Sequence, residues 1–86
     1  MTYRVLVAPA AGKALARIDR PQRLRIQTAI ARLTEDPHPR GSVALRGRPG
    51  LFRLRIGQYR AIYAVEHDRL LVLVIDVGHR REVYRR

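Results

Sequence analysis

The chain predicts an α+β fold, a two-helix hairpin packed on one face of a small, mainly antiparallel four-stranded sheet, in the order β-α-α-β-β-β. Three observations predict it. A short segment near the N-terminus alternates in hydropathy. Two segments then place apolar residues at helical spacing, and the C-terminal half returns to alternation. At 86 residues, 47% of them hydrophobic, the chain is long enough for one core and too short for two, so residues 1–86 are expected to form a single domain.

The first strand spans Thr2–Ala8, with Tyr3, Val5 and Val7 on one face. Pro9 ends it and can open a helix, where a missing N–H costs nothing. From Ala10 to Asp19, the residues Ala11, Ala14, Leu15 and Ile18 share one helical face. Asp19 and Pro21 mark a break and the start of a second helix, whose stripe is Ile26, Ala29, Ile30 and Leu33. Pro37 and Pro39 stop that helix near Asp36. Residues 37–50 read as a loop rich in Pro, Gly and Arg. Three strands follow: Leu51–Ile56, Tyr59–Glu66 after a Gly57-Gln58 turn suited to type II′, and the apolar run Leu70–Val77. A short basic tail runs from His79 to Arg86.

The formal charge is +11, from 18 Lys+Arg against 7 Asp+Glu, and Lys13 is the only lysine. Such a balance points to a polyanionic partner, while the hydrophobic content argues against a disordered basic tail. No apolar run approaches the roughly 20 residues of a membrane span, and no secretory signal pattern opens the chain, so a cytoplasmic location without membrane association is expected. There is no cysteine. His38, His67 and His79 stand without cysteine or a spaced set of carboxylates and make no metal motif. His38 and His67 fall in loops and receive no role.

The arginines are placed, not only numerous. Between Arg40 and Arg60 there are six (Arg40, Arg46, Arg48, Arg53, Arg55 and Arg60) and no acid. With Gly57-Gln58 as the turn, Arg55 opposes Arg60, and paired residues project from the same face. Phe52, Leu54, Ile56, Tyr59, Ala61 and Tyr63 then lie under the helices, and Arg53, Arg55 and Arg60 lie on the open face. Like charges directly opposed in a sheet are destabilising. Either an anion is expected there, or Asp76 of the last strand neutralises the cluster. The parity that turns Asp76 toward the arginines puts Leu71, Leu73, Ile75 and Val77 in the core. Arginine forks match phosphate oxygens bidentately. A solvated basic surface remains the plainer account of the same residues. In the tail, His79 is either a solvated loop residue or an acid/base group, and Tyr84 either packs or serves in stacking or proton transfer.

Taken in order after a helical hairpin, Leu45-Arg46-Gly47 with Leu51-Phe52-Arg53-Leu54-Arg55, then Tyr59-Arg60-Ala61-Ile62-Tyr63, then Val77-Gly78-His79-Arg80-Arg81-Glu82-Val83-Tyr84 resemble the RelE branch of the RelE/ParE toxin superfamily. The resemblance implies the toxin of a type II toxin–antitoxin pair, an endoribonuclease that arrests growth by cutting mRNA in the ribosomal A site without metal or cofactor. The 2′-hydroxyl attacks the adjacent phosphate and leaves a cyclic phosphate and a 5′-hydroxyl. It implies catalytic roles for Arg60 as the phosphate-stabilising arginine, for Arg80 after the last strand (Arg81 in an alternate alignment), and for Tyr84 as general base. Arg53 and Arg55 stand where well-known members carry lysine. That change keeps the charge but removes any proton-transfer role, because arginine does not deprotonate. The tail between Arg80 and Tyr84 is shorter than in well-known members, so His79 is expected to share the acid–base work. Arg46, Arg48 and Arg81 join Arg53 and Arg55 as phosphate contacts.

The implied partners are the 70S ribosome with mRNA, and an acidic antitoxin that wraps the toxin in a heterotetramer or larger complex, with off-stripe Leu24 among its contacts. Operator DNA would be reached only through that antitoxin. Two other readings share the residues. One is a ParE-like DNA gyrase inhibitor of the same fold. The other is a non-catalytic RNA-binding module, which needs only the charge.

Overall fold

The computed structural model describes residues 2–79. The elements are β1 (Arg4–Val7), α1 (Pro9–Ala16), α2 (Arg20–Arg32), β2 (Ser42–Ala44), β3 (Leu51–Ile56), β4 (Tyr59–Glu66) and β5 (Leu71–His79). They build one five-stranded sheet in the order β1-β5-β4-β3-β2. β1 runs parallel to β5, and the other pairs are antiparallel. The basic tail beyond His79, with Arg80, Arg81 and Tyr84, lies outside the described residues.

The sheet has five strands rather than the expected four. The addition is β2, inside the segment read as a loop. Three residues are too few to show alternation, and Val43 is half exposed on the edge. Glycine starts the strand: Gly41 sits at φ +96° and its carbonyl accepts the Arg55 amide at 3.1 Å. α2 also stops at Arg32, short of Asp36. Its last turn tightens to three-residue bonds, Leu33 N–H to Ile30 at 3.0 Å and Thr34 N–H to Ala31 at 3.2 Å, before Pro37 forbids further helix. The Thr34 carbonyl then accepts the Tyr3 amide at 2.6 Å, which ties the start of β1 to the end of α2.

Both prolines sit in the first turns of their helices. The expected stripes face the sheet: Ala11 and Leu15 of α1, with Ile26 and Ile30 of α2 and Leu33 just beyond, are buried against Leu54, Ile56, Ala61, Tyr63, Val72, Val74 and Val77. Tyr63 is fully buried, and its hydroxyl donates to the Pro37 carbonyl at 2.7 Å. Burial raises its phenol above the ordinary 10.0. The Asp36 charge pushes the same way, and a hydrogen bond to Ser42 opposes.

β5 departs from the expected alternation. Tyr63 pairs with Val74 and Val65 with Val72, but Ile62 pairs with Asp76, because one residue, Ile75, bulges between the two registers. Val72 and Val74 therefore join Val77 in the cluster under the helices. Of the other expected core residues, Leu71 is buried outside that cluster, and Leu73 and Ile75 are half-buried. Continued without the bulge, the first register would set Asp76 opposite Ala61, in the core. A carboxylate there would lose its hydration without compensation. The bulge sends Asp76 to the open face instead.

Among the described residues no helix is long and apolar enough to cross a membrane.

Candidate active site

The open face follows from the hairpin register. Gly57 has φ +60° and no positive φ occurs at Gln58, the pattern of a type II′ turn. That turn fixes Ile56 opposite Tyr59 and Arg55 opposite Arg60, as expected, and Arg53 opposite Ile62. β5 completes the rows, with Gly78 beside Arg60 and Asp76 beside Ile62. Arg53, Arg55, Arg60 and Asp76 thus share one face. Asp76 is diagonal to Arg60, at the roughly 7–8 Å of next-but-one cross-strand neighbours.

The three arginines differ in setting. Arg55 is exposed, Arg53 is partly buried, and Arg60 keeps 8% of its surface. A buried guanidinium is held in one place, and Gly78 beside it adds no side chain to the face. Fixed, water-poor cations act more strongly on a phosphate than solvated ones, because the local dielectric is lower.

The other expected site residues divide. Arg46 and Arg48 lie exposed between β2 and β3, at the far end of the sheet from the Arg55–Arg60 pair. His79 ends β5 opposite Tyr59, so it projects to the helix side, not the arginine side. Its ring meets Tyr59 edge-on, with centroids 5.8 Å apart at 74°. There it lines a cleft of about 610 Å³ with Ala14, Arg17, Ile18, Asp19, Tyr59, Val77 and Gly78. Arg25 adds a further cation at this end, since its guanidinium lies 3.5 Å from where a side chain at Gly57 would begin. The sequence does not single out Arg17, Arg25 or Tyr59 for a site. A helix residue shows its face there, but not which strand end it meets.

At the other end of β4 the structure joins two residues that the sequence leaves without a role. His38 and His67 meet with Nε2 atoms 3.1 Å apart, across a separation of 29 positions. Only the path of the folded chain brings them together.

Comparison with known proteins places this architecture. The family model described as the ParE toxin of the type II toxin–antitoxin system parDE matches residues 5–84. Toxin RelG of Mycobacterium tuberculosis (strain ATCC 25618 / H37Rv) is 31% identical over 61 residues, covering 71% of this chain and 70% of that protein. The RelE–RelB complex of Pyrococcus horikoshii OT3 contains a chain 29% identical, with a TM-score of 0.82, covering 93% of this chain and 97% of that one. A mutant of the E. coli toxin RelE in the free state is 28% identical, with a TM-score of 0.80, covering 99% of this chain and 93% of that one. Sequence and fold agree: the chain belongs to the ParE toxin family of type II toxin–antitoxin systems, within the RelE/ParE superfamily.

Proposed function

We propose that this toxin is a ribosome-dependent, metal-independent mRNA endonuclease of the cytoplasm. The observation that carries the reading is the register that sets Arg55 directly opposite Arg60 on the open face, with Arg53 on the same strand. Opposed like charges cost stability. Asp76 on the same face offsets part of that charge, and the cations that exceed it, exposed Arg55 among them, suit an RNA phosphate. In this mechanism the 2′-hydroxyl of one nucleotide loses its proton and attacks the adjacent phosphorus. The bond to the next 5′-oxygen breaks, that oxygen takes up a proton, and a 2′,3′-cyclic phosphate and a 5′-hydroxyl remain. Arg60, fixed by burial, stabilises the negative charge on the phosphorane-like transition state. Arg53 and Arg55 orient the strand, and Arg80, or Arg81, completes the clamp. Tyr84 removes the proton. The helix-side position of His79 favours Tyr84 over His79 for that step and leaves His79 a supporting role in the adjoining cleft. Arg46 and Arg48, at the far end, serve contact with the ribosome rather than with the reacting phosphate.

The antitoxin belongs to the same proposal. Several solved relatives are toxins bound to RelB antitoxins, among them the E. coli and Mycobacterium tuberculosis complexes. An acidic antitoxin complements this chain's charge. Leu24, 48% exposed, borders a groove with Arg25, Thr28, Ala29, Arg32 and Ile56 that fits an apolar side chain of such a partner. Operator DNA would be bound through the antitoxin.

Gyrase inhibition is the second reading, favoured by the parDE description of the matching family. Primer-extension mapping of mRNA after induction separates the two. New 5′ ends inside translated codons, absent with Arg60→Ala, are expected. Intact mRNA together with trapped gyrase–DNA complexes would sink the nuclease reading.

A further inference from the structure

We propose that His38 and His67 form a binding site for a divalent late first-row metal ion of the Cu²⁺ or Ni²⁺ kind, which clamps three segments of the chain at the end of the sheet remote from the arginines. The geometry is that of a chelate. The two Nε2 atoms are 3.1 Å apart, and the ring centroids 5.1 Å. Two imidazole nitrogens at the usual ~2.05 Å from a common ion, held 3.1 Å apart, subtend about 98° at it. That angle lies close to the 90° of neighbouring ligands in a square-planar site, the arrangement Cu²⁺ and Ni²⁺ prefer. Both rings are exposed, so an ion can enter and water can fill its other positions. Among the described residues no third metal-type ligand joins them, and the site is a two-histidine one.

Both ligands are held from behind. Tyr3 Oη lies 2.6 Å from His67 Nδ1. With the Nδ1 proton donated to that oxygen, His67 Nε2 presents its lone pair outward, the outer-shell arrangement that orients a ligating histidine. His38 rests on the Phe52 ring, centroids 4.6 Å apart, and Phe52 stacks on buried Tyr63 at 5.7 Å. The His38 amide also donates to Asp36 Oδ1 at 3.0 Å. In the metal-free protein one Nε2 must donate to the other. The ion replaces that bridging proton, which moves to His38 Nδ1 through solvent.

The sequence on either side of each histidine is less basic than the rest of the chain. Residues 35–41 and 64–70 hold Glu35, Asp36, Glu66 and Asp68 against Arg40 and Arg69, so four of the seven acids lie within three positions of these two histidines. Asp36 accepts the His38 amide, Glu66 is engaged by Arg69 at 3.5 Å, and Arg46 and Arg48 stand at the same end of the sheet, so the site rests on its nitrogen geometry and not on local charge. The ion would join the α2–β2 loop to the β4–β5 turn and, through Tyr3, to the residue that leads into β1. His67 lies seven residues along β4 and its turn from Arg60, about 23 Å at strand spacing, so the clamp takes no part in RNA chemistry.

Metal-free toxin titrated with Cu²⁺ tests this by calorimetry, thermal unfolding and electron paramagnetic resonance. One equivalent should bind, raise Tm by several degrees, and show hyperfine coupling to two imidazole nitrogens. His38→Ala and His67→Ala should each weaken binding ten-fold or more and leave at most one coupled nitrogen. Tyr3→Phe should weaken it while both nitrogens stay coupled. Absence of binding overturns the proposal. So does binding that survives both histidine substitutions, which would put the copper elsewhere, including at the chain terminus.

Discussion

The two ends of β4 carry opposite chemistry on one scaffold. At the Gly57 end, Arg55 and Arg60 face each other on the open side of the sheet. At the other end, His38 and His67 touch, with four of the chain's seven acids within three positions of them in sequence. The first end is built by register: a two-residue turn sets which cations oppose, and the Ile75 bulge delivers Asp76 to them. The second is built by loops packing on the sheet, His67 against Tyr3 and His38 against Phe52 of β3, which stacks on Tyr63 of β4. Register puts like charges together where local stability would part them, and loop packing assembles a pair of weak bases that no periodicity encodes.

The largest expected effect breaks the first end. Arg60→Ala should lower cleavage in a translating extract about 10²–10³-fold, the range seen when one transition-state donor is removed. Arg60→Lys should restore part of it, because charge returns without the planar fork. Circular dichroism and thermal melts on both variants separate lost chemistry from lost fold.

Tyr63→Phe acts on the layer beneath the second end. It removes the hydroxyl that donates to Pro37 and should cost about 1 kcal/mol in urea unfolding. It also changes the pH profile. The folded phenol is raised above 10.0, so the folded state holds its proton more tightly than the unfolded chain. That part of the stability is complete below about pH 10 and falls as pH rises from there through the higher folded value. The phenylalanine variant should lose this alkaline slope and keep the rest of the curve.

Arg55→Ala has a smaller consequence. Arg55 is exposed, and as a strand-orienting contact it should reduce the slope of log affinity for single-stranded RNA against log salt by about 0.7, one phosphate's share. An unchanged slope would remove Arg55 from the RNA surface. Smallest of all is Leu70→Asn, in the turn that carries His67. Leu70 holds φ 49°, a region asparagine enters more readily than leucine. Against the packing lost, a net change within about 0.5 kcal/mol is expected in thermal unfolding.

Much of the first end is legible in the sequence. Alternation over Leu51–Ile56 and a glycine at the turn suffice to oppose Arg55 and Arg60, and the stripes on α1 and α2 say which face is covered. β2 is not legible, because a three-residue edge strand held by Gly41 has no period to detect. Unbroken alternation puts Leu71 and Leu73 in the core, because a strand without a bulge permits nothing else if Asp76 is to reach the arginines. The bulge satisfies both demands with valines inside. The side of the sheet taken by His79 follows from the same register, and pairing it with Tyr59 rather than Arg60 needs the strand partners of β5. His38 and His67 are illegible for a different reason: two loop residues far apart in sequence meet only when the whole sheet is formed.

The most direct measurement compares the two ends in one experiment. Purified toxin, Arg60→Ala and His38→Ala are added separately to a translating extract, and mRNA 5′ ends are mapped. Cuts within translated codons by the unaltered toxin and by His38→Ala, with loss for Arg60→Ala, are the predicted result. Equal cleavage by Arg60→Ala, or no cleavage by any of the three, would contradict the assignment of RNA chemistry to the arginine end.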